Sequence, residues 1–151
     1  MLQLAQPKDR EAVNALALQV HSLHVGWRPD IYEMVEELYP RERFDDAVEN
    51  RELYVAKLGT EVVGYVLVQI RNYDWPGVVR RRVMSLDEIC VDEELRCNGI
   101  GSQMLEDVKA LARAFGCSDI QLGVYPQNEA AIRCYEKAGF TVRNVNFQMK
   151  L

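Results

Sequence analysis

The spacing of apolar residues along the chain predicts helices in its first third and mainly strands after residue 52. Residues 2–5 form a short run typical of a strand, and a helical spacing of apolar positions begins after Pro7. Glycine and proline within residues 26–30 end this helix. Two further segments, residues 32–39 and 43–50, are rich in acidic residues and are also expected to be helical.

β-Branched and aromatic runs after residue 52 predict a sheet. Residues 53–57 and 62–70 are joined by a short turn that contains glycine, which predicts a hairpin, and residues 83–91 form the next strand. The remaining predicted elements follow in chain order: a helix from Gly101 that ends at Gly116, a strand over residues 120–125, a helix over residues 128–138 and a final pair of strands to Leu151. The pattern predicts one mixed α/β domain over residues 1–151.

The composition excludes several classes of protein. Of the 151 residues, 48% are hydrophobic and 27% are charged, which is typical of a folded globular domain and not of a disordered chain. No apolar run approaches the ~18 residues of a membrane span, and the first residues lack the order of a signal peptide, so a cytoplasmic protein is expected. The net charge of −5 disfavours nucleic acid as a partner, although Arg80, Arg81 and Arg82 form one basic run.

The four cysteines and two histidines do not form a metal-binding pattern. No two cysteines are spaced as a CxxC pair, and His21 and His24 have no carboxylate at metal-binding spacing. We therefore expect no metal, and we expect the cysteines to be reduced thiols.

A glycine-rich turn between a predicted strand and a predicted helix carries the clearest chemical signal. After the strand that ends at Val91 comes a polar loop, then Arg96-Cys97-Asn98-Gly99-Ile100-Gly101-Ser102. Two glycines at a helix start let the backbone approach a ligand, and the free N–H groups and helix dipole favour an anion such as a diphosphate. Met104 replaces the third glycine of a dinucleotide-binding turn, and the chain has no Gly-Lys-Ser/Thr of a P-loop. A tight turn without a ligand is the alternative.

A second motif follows further along the chain. Residues 128–140 contain Asn-x-x-Ala-x-x-x-Tyr-x-x-x-Gly-Phe. Together with the Arg-x-x-Gly-x-Gly of the first turn, this resembles the two signatures of the GNAT superfamily of N-acetyltransferases. The resemblance implies an α/β (α+β) fold, with a mixed and mostly antiparallel sheet of about seven strands flanked by helices. It also implies that the strand at residues 83–91 is splayed from its neighbour to admit acetyl-CoA.

The resemblance further assigns roles to individual residues. It places acetyl-CoA against the motif strand, the glycine turn and the second motif, at Ile89, Cys90, Val91, Arg96, Cys97, Asn98, Gly99, Ile100, Gly101, Ser102, Asn128 and Tyr135. Tyr135 stands where the family has a tyrosine near the CoA sulfur, and a phenol of pKa ~10 stays protonated at neutral pH, so it is the expected general acid. The structural alternative for Tyr135 is a core tyrosine whose hydroxyl is hydrogen-bonded. The structural alternative for Asn128 is a residue that only caps its helix.

Two adjacent carboxylates in the motif strand are the candidate general bases. Strand alternation places Asp87 on the same face as Ile89. It places Glu88 on the opposite face, with Leu86 and Cys90. A carboxylate on the acceptor side would draw a proton from the amine through a water molecule, and we prefer Glu88 with Asp87 as the second choice. A charged residue hydrogen-bonded at a bulge is the structural alternative.

The resemblance places the acceptor against the first helices and their connecting loop. His24, Trp27 and Tyr32 are the candidate substrate-binding residues there, and the negative net charge would attract a cationic acceptor. The expected function is acetyl transfer from acetyl-CoA to a primary amine of a small molecule or a peptide. A non-catalytic domain that binds or senses acyl-CoA is the alternative. We also expect a homodimer, with the apolar residues of the segment 141–151 at its interface.

Overall fold

Five strands form one sheet in a computed structural model that describes residues 1–151, and helices cover both faces of this sheet. The strands lie in chain order: β1 (Leu2–Leu4), β2 (Leu53–Leu58), β3 (Glu61–Tyr73), β4 (Arg81–Val91) and β5 (Asp119–Gln121). The helices are α1 (Arg10–Trp27), α2 (Arg41–Glu49), α3 (Ile100–Ala114) and α4 (Glu129–Lys137), with short 3₁₀ turns at Pro7–Asp9 and Glu93–Leu95. All neighbouring strands are antiparallel except β4 and β5, which are parallel.

Alternation along the central strands builds two hydrophobic cores, one on each face of the sheet. Leu53 and Val55 pack with residues of α1 and α2, whereas Tyr54 and Ala56 pack with residues of α3 on the other face. Burying one aliphatic or aromatic side chain stabilises the fold by about 1.5–3 kcal/mol. The two cores together therefore hold β3 and β4 firmly between the helices.

Most of the predicted elements are confirmed. The strands predicted at residues 53–57, 62–70 and 83–91 correspond to β2, β3 and β4, and the helices predicted at residues 43–50 and 128–138 correspond to α2 and α4. Their ends differ by a few residues from the predicted ones. The alternation of apolar residues was a sufficient signal for these elements, because each buries one face or both in a core.

The helix predicted at residues 32–39 is wrong, because this segment is an irregular loop. The side chain of Asn14 satisfies its backbone instead of a helical turn. The N–H groups of Leu38 and Tyr39 donate to Asn14 Oδ1 at 3.0 and 2.8 Å, and Asn14 Nδ2 donates to the carbonyl oxygen of Tyr39 at 2.9 Å. A helix would also place the glutamates of this segment one turn apart, and their like charges would repel.

The predicted final pair of strands is also wrong, and the sheet has five strands where about seven were expected. Residues 141–151, which we call the C-terminal arm, form no backbone–backbone hydrogen bond, and all of them are exposed. Apolar and polar residues alternate here as in a strand, but no sheet edge of the same chain lies alongside. Val142, Phe147 and Met149 are 83%, 94% and 83% exposed as a result.

A bulge in β4 changes the face on which its carboxylates lie. Glu88 pairs with Leu67 and Leu86 pairs with Val68, so Asp87 is an extra residue between the two pairs. Leu86 therefore packs in the core under α3, whereas Glu88 reaches the opposite face. The prediction that Leu86 and Glu88 share a face is wrong, because the extra residue interrupts the alternation.

The edge of β4 that faces β5 is paired over only part of its length. Residues 83–85 pair with Asp119–Gln121, and β5 then ends. Residues 86–91 of β4 consequently have no strand partner on that side, and we call the region between this unpaired edge and the chain that leaves β5 the gap. The pairing of β4 with β5 thus ends before the residues at which the motif strand is expected to splay from its neighbour.

Gly64 allows β3, β4 and α3 to approach one another beside this gap. A Cβ atom at this position would lie 2.6 Å from the carbonyl oxygen of Cys90 and 2.8 Å from Met104 Sδ. No side chain fits between these elements, so glycine fixes the distance between α3 and the splayed part of β4.

Candidate active site

The glycine turn forms the start of α3 and lies next to the unpaired edge of β4. Gly99 has a φ of +81°, in the left-handed region that glycine adopts without strain, and a Cβ atom there would have no neighbour within 4 Å. A Cβ atom at Gly101 would lie 3.6 Å from Val91 Cγ2, so the turn contacts the strand. Ile100 is buried and Ser102 is exposed. The first N–H groups of α3 have no partner within the helix, so this end offers donors and open space to an anion.

Side chains of the loop before α3 hold the turn in place. Arg96 Nε donates to the carbonyl oxygen of Val91 at 3.1 Å, and Asn98 Nδ2 donates to that of Leu95 at 3.2 Å. Cys97 has a φ of +66°, which is uncommon for a residue with a side chain. Arg96, Cys97 and Asn98 are all exposed. The loop therefore presents the arginine and the turn backbone on one side of the gap.

Tyr135 lies on α4 and packs in the core under α3. Its ring meets Phe140 edge-on, with the ring centroids 5.9 Å apart, and the same core includes Ile89 and Val91 of the splayed strand. Burial, followed by the nearby thiol of Cys134, raises the pKa of Tyr135 to about 12, and no hydrogen bond contributes. The hydroxyl group is therefore protonated at neutral pH and free to donate to a ligand.

Asn128 caps the N-terminus of α4. Its Oδ1 accepts a hydrogen bond from the N–H of Ala131 at 3.2 Å, which satisfies one donor of the first helical turn. The side-chain Nδ2 is not used by this cap and remains available to a ligand.

Glu88 lies on the other face of β4 in a cluster of hydrogen-bond donors. Its Oε2 accepts hydrogen bonds from the hydroxyls of Tyr39 at 2.8 Å and Tyr65 at 2.7 Å. Its Oε1 accepts from Arg43 at 3.0 Å, and the Arg43 guanidinium lies 4.1 Å above the Tyr39 ring. Burial and the Glu88 charge raise the pKa of both tyrosines, so these phenols stay protonated and act as donors.

Asp87 lies on the same side of the sheet as Glu88. The Ser85 hydroxyl donates to Asp87 Oδ1 at 2.5 Å, and the charge of Asp87 contributes to the raised pKa of Glu52 and of Tyr39. The prediction that the two carboxylates point to opposite faces is therefore wrong, because the bulge turns both of them towards α1 and α2.

The predicted acceptor-binding residues lie together, and a fourth ring joins them. The His24 ring centroid lies 5.7 Å from that of Trp27, 5.3 Å from that of Tyr32 and 5.6 Å from that of Tyr125. The hydroxyls of Tyr32 and Tyr125 are hydrogen-bonded at 2.8 Å. We call these four side chains the aromatic cluster. Burial, followed by the charge of His21, lowers the pKa of His24, although the Glu88 carboxylate raises it in part.

Polar contacts fix the loop that carries Tyr32. His21 Nε2 lies 2.6 Å from the carbonyl oxygen of Glu33. Arg28 donates to both carboxylate oxygens of Asp30, at 2.9 and 2.8 Å, and this pair holds the pKa of Asp30 well below its usual range. The loop is therefore held on both sides of Tyr32.

Several residues of the site were not predicted from the sequence. Tyr125 lies three positions before the start of the second motif, and this position was its only signal. Tyr39, Tyr65 and Arg43 meet at Glu88 from a loop, a strand and a helix that are distant in the chain, so no local pattern could have associated them.

Other features of the sequence have structural roles or none. Arg81 forms an ion pair with Asp119 at 3.0 Å and lies 4.7 Å above the ring of Tyr73, so the basic run is tied to the end of the sheet. All four cysteines are free thiols, and no group of three or more potential metal ligands is present. None of the helices combines the length and the apolar character needed to cross a bilayer.

Comparison with known proteins relates this arrangement to a family. Residues 19–140 match the acetyltransferase (GNAT) family. Thialysine N-epsilon-acetyltransferase of Bos taurus is 36% identical over 81 residues, which cover 54% of this chain and 45% of that protein. The putative phosphinothricin acetyltransferase YwnH of Bacillus subtilis is 27% identical over 142 residues, which cover 92% of this chain and 82% of that protein.

A solved structure extends the similarity to the whole chain. The tetramutant of the BH1408 protein from Bacillus halodurans superposes with a TM-score of 0.93 and 28% identity, covering 100% of this chain and 99% of that one. The match to the thialysine enzyme, in contrast, spans less than half of that relative's length. Since the family match covers most of the residues and includes both the glycine turn and Tyr135, this chain belongs to the GNAT family of acetyltransferases.

Proposed function

We propose that this protein transfers the acetyl group of acetyl-CoA to a primary amine. The observation that carries the proposal is the gap beside residues 86–91 of β4, with the α3 N-terminus at one side of it and Tyr135 packed beside it. Acyl transfer needs donors for a diphosphate, donors for a thioester carbonyl and a proton for the departing thiolate. We assign a group of each kind to this gap.

The residues around the gap fit acetyl-CoA. We assign its diphosphate to the turn and to its exposed arginine, at Arg96, Cys97, Asn98, Gly99, Ile100, Gly101 and Ser102. The open space above Gly99 supports this assignment, because a ligand can approach the backbone there. The unpaired backbone of Ile89, Cys90 and Val91 is assigned to the thioester and the adjacent arm of the molecule. The free Nδ2 of Asn128 is assigned to the same arm.

One group would act on the reacting atoms in this proposal, and two carboxylates would act on the acceptor through their charge. Tyr135 donates its proton to the CoA thiolate as the C–S bond breaks, and its raised pKa supports this role because the phenol is protonated at neutral pH. The carboxylates of Glu88 and Asp87 provide negative charge on the acceptor side and attract a cationic amine towards the gap.

We propose a small amine as the acceptor. The names of the two relatives refer to thialysine and phosphinothricin, both of which are amino acids with a primary amine. The aromatic cluster supports a small ligand, because its rings are in mutual contact and its loop is pinned by Arg28 and His21. A cationic amine is also attracted by aromatic faces.

The experiment is an acetyl-transfer assay with thiol release as the readout. The protein is incubated with acetyl-CoA and one amine at a time, and the acetylated product is identified by mass spectrometry. The amines are thialysine, phosphinothricin, ethylamine and a peptide with a free N-terminus. We expect transfer to at least one of the small amines. Binding of acetyl-CoA without transfer to any of them would contradict the proposal and favour a domain that only binds acyl-CoA.

We also propose that two copies of the chain form a dimer through the C-terminal arm. Phe147 is 94% exposed and the arm has no backbone partner in its own chain, so a strand of another copy would satisfy both its apolar side chains and its backbone. Light scattering after gel filtration should give the mass of two chains. Phe147→Asp should lower the measured mass towards that of one chain. Leu58→Asp, at an exposed hairpin turn, should leave the mass unchanged. A monomeric wild-type protein would contradict this proposal.

A further inference from the structure

His24 lies next to the chain that leaves β5 and borders the gap. Tyr125 lies in the chain that leaves β5, and its ring centroid is 5.6 Å from that of His24. His24 itself lies near the end of α1, the helix that covers this side of the sheet. It is therefore next to the chain that leaves β5, and the Glu88 carboxylate of β4 raises its pKa in part.

The environment of His24 favours the neutral imidazole at pH 7. Its pKa is lowered by burial and by His21, and the partial opposition from Glu88 does not reverse this. The other titratable neighbours are the phenols of Tyr32 and Tyr125, which are also under the influence of Arg28. No hydrogen bond from the protein acts on the His24 ring, so the unprotonated nitrogen of the neutral imidazole is free to accept a proton.

Glu88, in contrast, is poorly placed to take a proton. Both of its carboxylate oxygens already accept hydrogen bonds, two from tyrosine hydroxyls and one from Arg43. Removing these donors to make room for an amine proton would leave buried hydroxyls unpaired, which is costly. Three of the roughly four acceptor positions of this carboxylate are therefore occupied by donors of the same chain.

We propose that His24 is the general base that deprotonates the acceptor amine, and that Glu88 is a positioning residue that stabilises the imidazolium. This inference rests on the proposed function. A ring nitrogen of His24 takes one proton from the ammonium group, and the neutral amine attacks the thioester carbonyl. The C–N bond forms as the C–S bond breaks, and Tyr135 gives its proton to the departing thiolate. The second proton of the nitrogen passes through water to the Tyr135 phenolate, which restores the phenol. His24 then releases its proton to water.

Two amines of nearly the same shape test this step. Ethylamine is protonated at pH 7 and needs a base, whereas 2,2,2-trifluoroethylamine is already neutral because its fluorines withdraw electrons. We expect His24→Gln to lower kcat/KM for ethylamine by roughly 10²-fold or more, since general base catalysis contributes about 10²–10⁴-fold. The value for trifluoroethylamine should change by less than about threefold, because no proton must be removed before attack.

Two controls separate chemistry from loss of structure. Leu23→Gln introduces the same residue at an exposed neighbouring position of α1 and should leave both rates unchanged. His24→Gln should show the same thermal shift with acetyl-CoA as the wild-type protein. The wild-type pH profile for ethylamine should rise through an ionisation that is absent in His24→Gln and that Glu88→Gln moves to lower pH, because the carboxylate no longer stabilises the imidazolium.

The outcomes distinguish this inference from the proposed function. If the wild-type protein acetylates ethylamine and His24→Gln does so at a similar rate, His24 is not the base, although the proposed function stands. If His24→Gln lowers kcat/KM equally for both amines, the role of His24 is structural and the inference is again wrong. If the wild-type protein acetylates neither amine nor any member of the panel above, the proposed function itself is contradicted.

Discussion

Tyr135→Phe is expected to lower kcat for acetyl transfer by roughly 10²–10⁴-fold, the range that a general acid contributes. The substitution removes only the hydroxyl, so the ring still packs against Phe140 and the KM for acetyl-CoA should change little. A thiolate would then leave without a proton donor, which raises the barrier of the step in which the C–S bond breaks. Steady-state kinetics with the best amine of the panel provides the measurement.

Tyr54→Phe is the matched control. Tyr54 lies in the same core as Tyr135, and its hydroxyl is buried without a hydrogen-bond partner. Removing this hydroxyl should leave kcat unchanged and the protein equally or more stable, because an unpaired buried polar group is unfavourable. A Tyr135→Phe variant that retains wild-type kcat would exclude the phenol as the acid.

The raised pKa of Tyr135 also predicts the shape of the alkaline pH profile. Because this pKa is about 12, the phenol keeps its proton well above its ordinary value of 10.0. Between about pH 8 and pH 10, kcat should therefore not fall through loss of the acid. A decline with an apparent pKa within that range would show that another group supplies the proton.

Lys57→Met is expected to reduce the free energy of unfolding by about 3–5 kcal/mol, the usual cost of removing one partner from a buried ion pair. Lys57 Nζ lies 2.8 Å from Asp9 Oδ1, and the two side chains are only 9% and 4% exposed. Asp9 Oδ2 also accepts a hydrogen bond from the N–H of Gln6 at 2.9 Å, at the start of the helical region. Without the lysine, Asp9 would remain as a buried charge with that single donor.

Urea unfolding of the variant and two controls measures this effect. Lys109→Met removes a lysine from a surface pair with Glu106, whose side chain is 60% exposed, and should change the free energy of unfolding by less than about 0.5 kcal/mol. Adding Asp9→Asn to Lys57→Met should recover part of the loss, since no charge is then left buried. Equal stability of Lys57→Met and Lys109→Met would show that the ion pair is not buried in solution.

The sequence predicted the parts of the fold that depend on local alternation. The strands at residues 53–57 and 83–91 and the helix that carries Tyr135 each bury a regular set of apolar residues, so their spacing was sufficient. The loop at residues 32–39 was mistaken for a helix, because its structure depends on the distant side chain of Asn14. The C-terminal arm has the alternation of a strand but no partner edge, and alternation cannot reveal that absence.

The same distinction applies to the site. The glycine turn is a continuous motif, so its position at the start of α3 followed from the sequence. The directions of Asp87 and Glu88 did not, because a single bulged residue reverses the alternation between Leu86 and Glu88. The contacts of Tyr125 with His24 join residues from distant parts of the chain, which only the tertiary structure brings together.

The most direct test of the proposed acetyl-CoA site is a binding measurement. The Tm of the wild-type protein is measured without ligand and with acetyl-CoA, CoA or NAD. At a concentration of ~100 times the dissociation constant, binding should add about 2.7 kcal/mol of stability. This corresponds to a rise in Tm of several degrees, at about 2–4 °C per kcal/mol. We expect such a rise with acetyl-CoA and none with NAD. An unchanged Tm with both acetyl-CoA and CoA would contradict the assignment of the glycine turn and the splayed strand to this ligand.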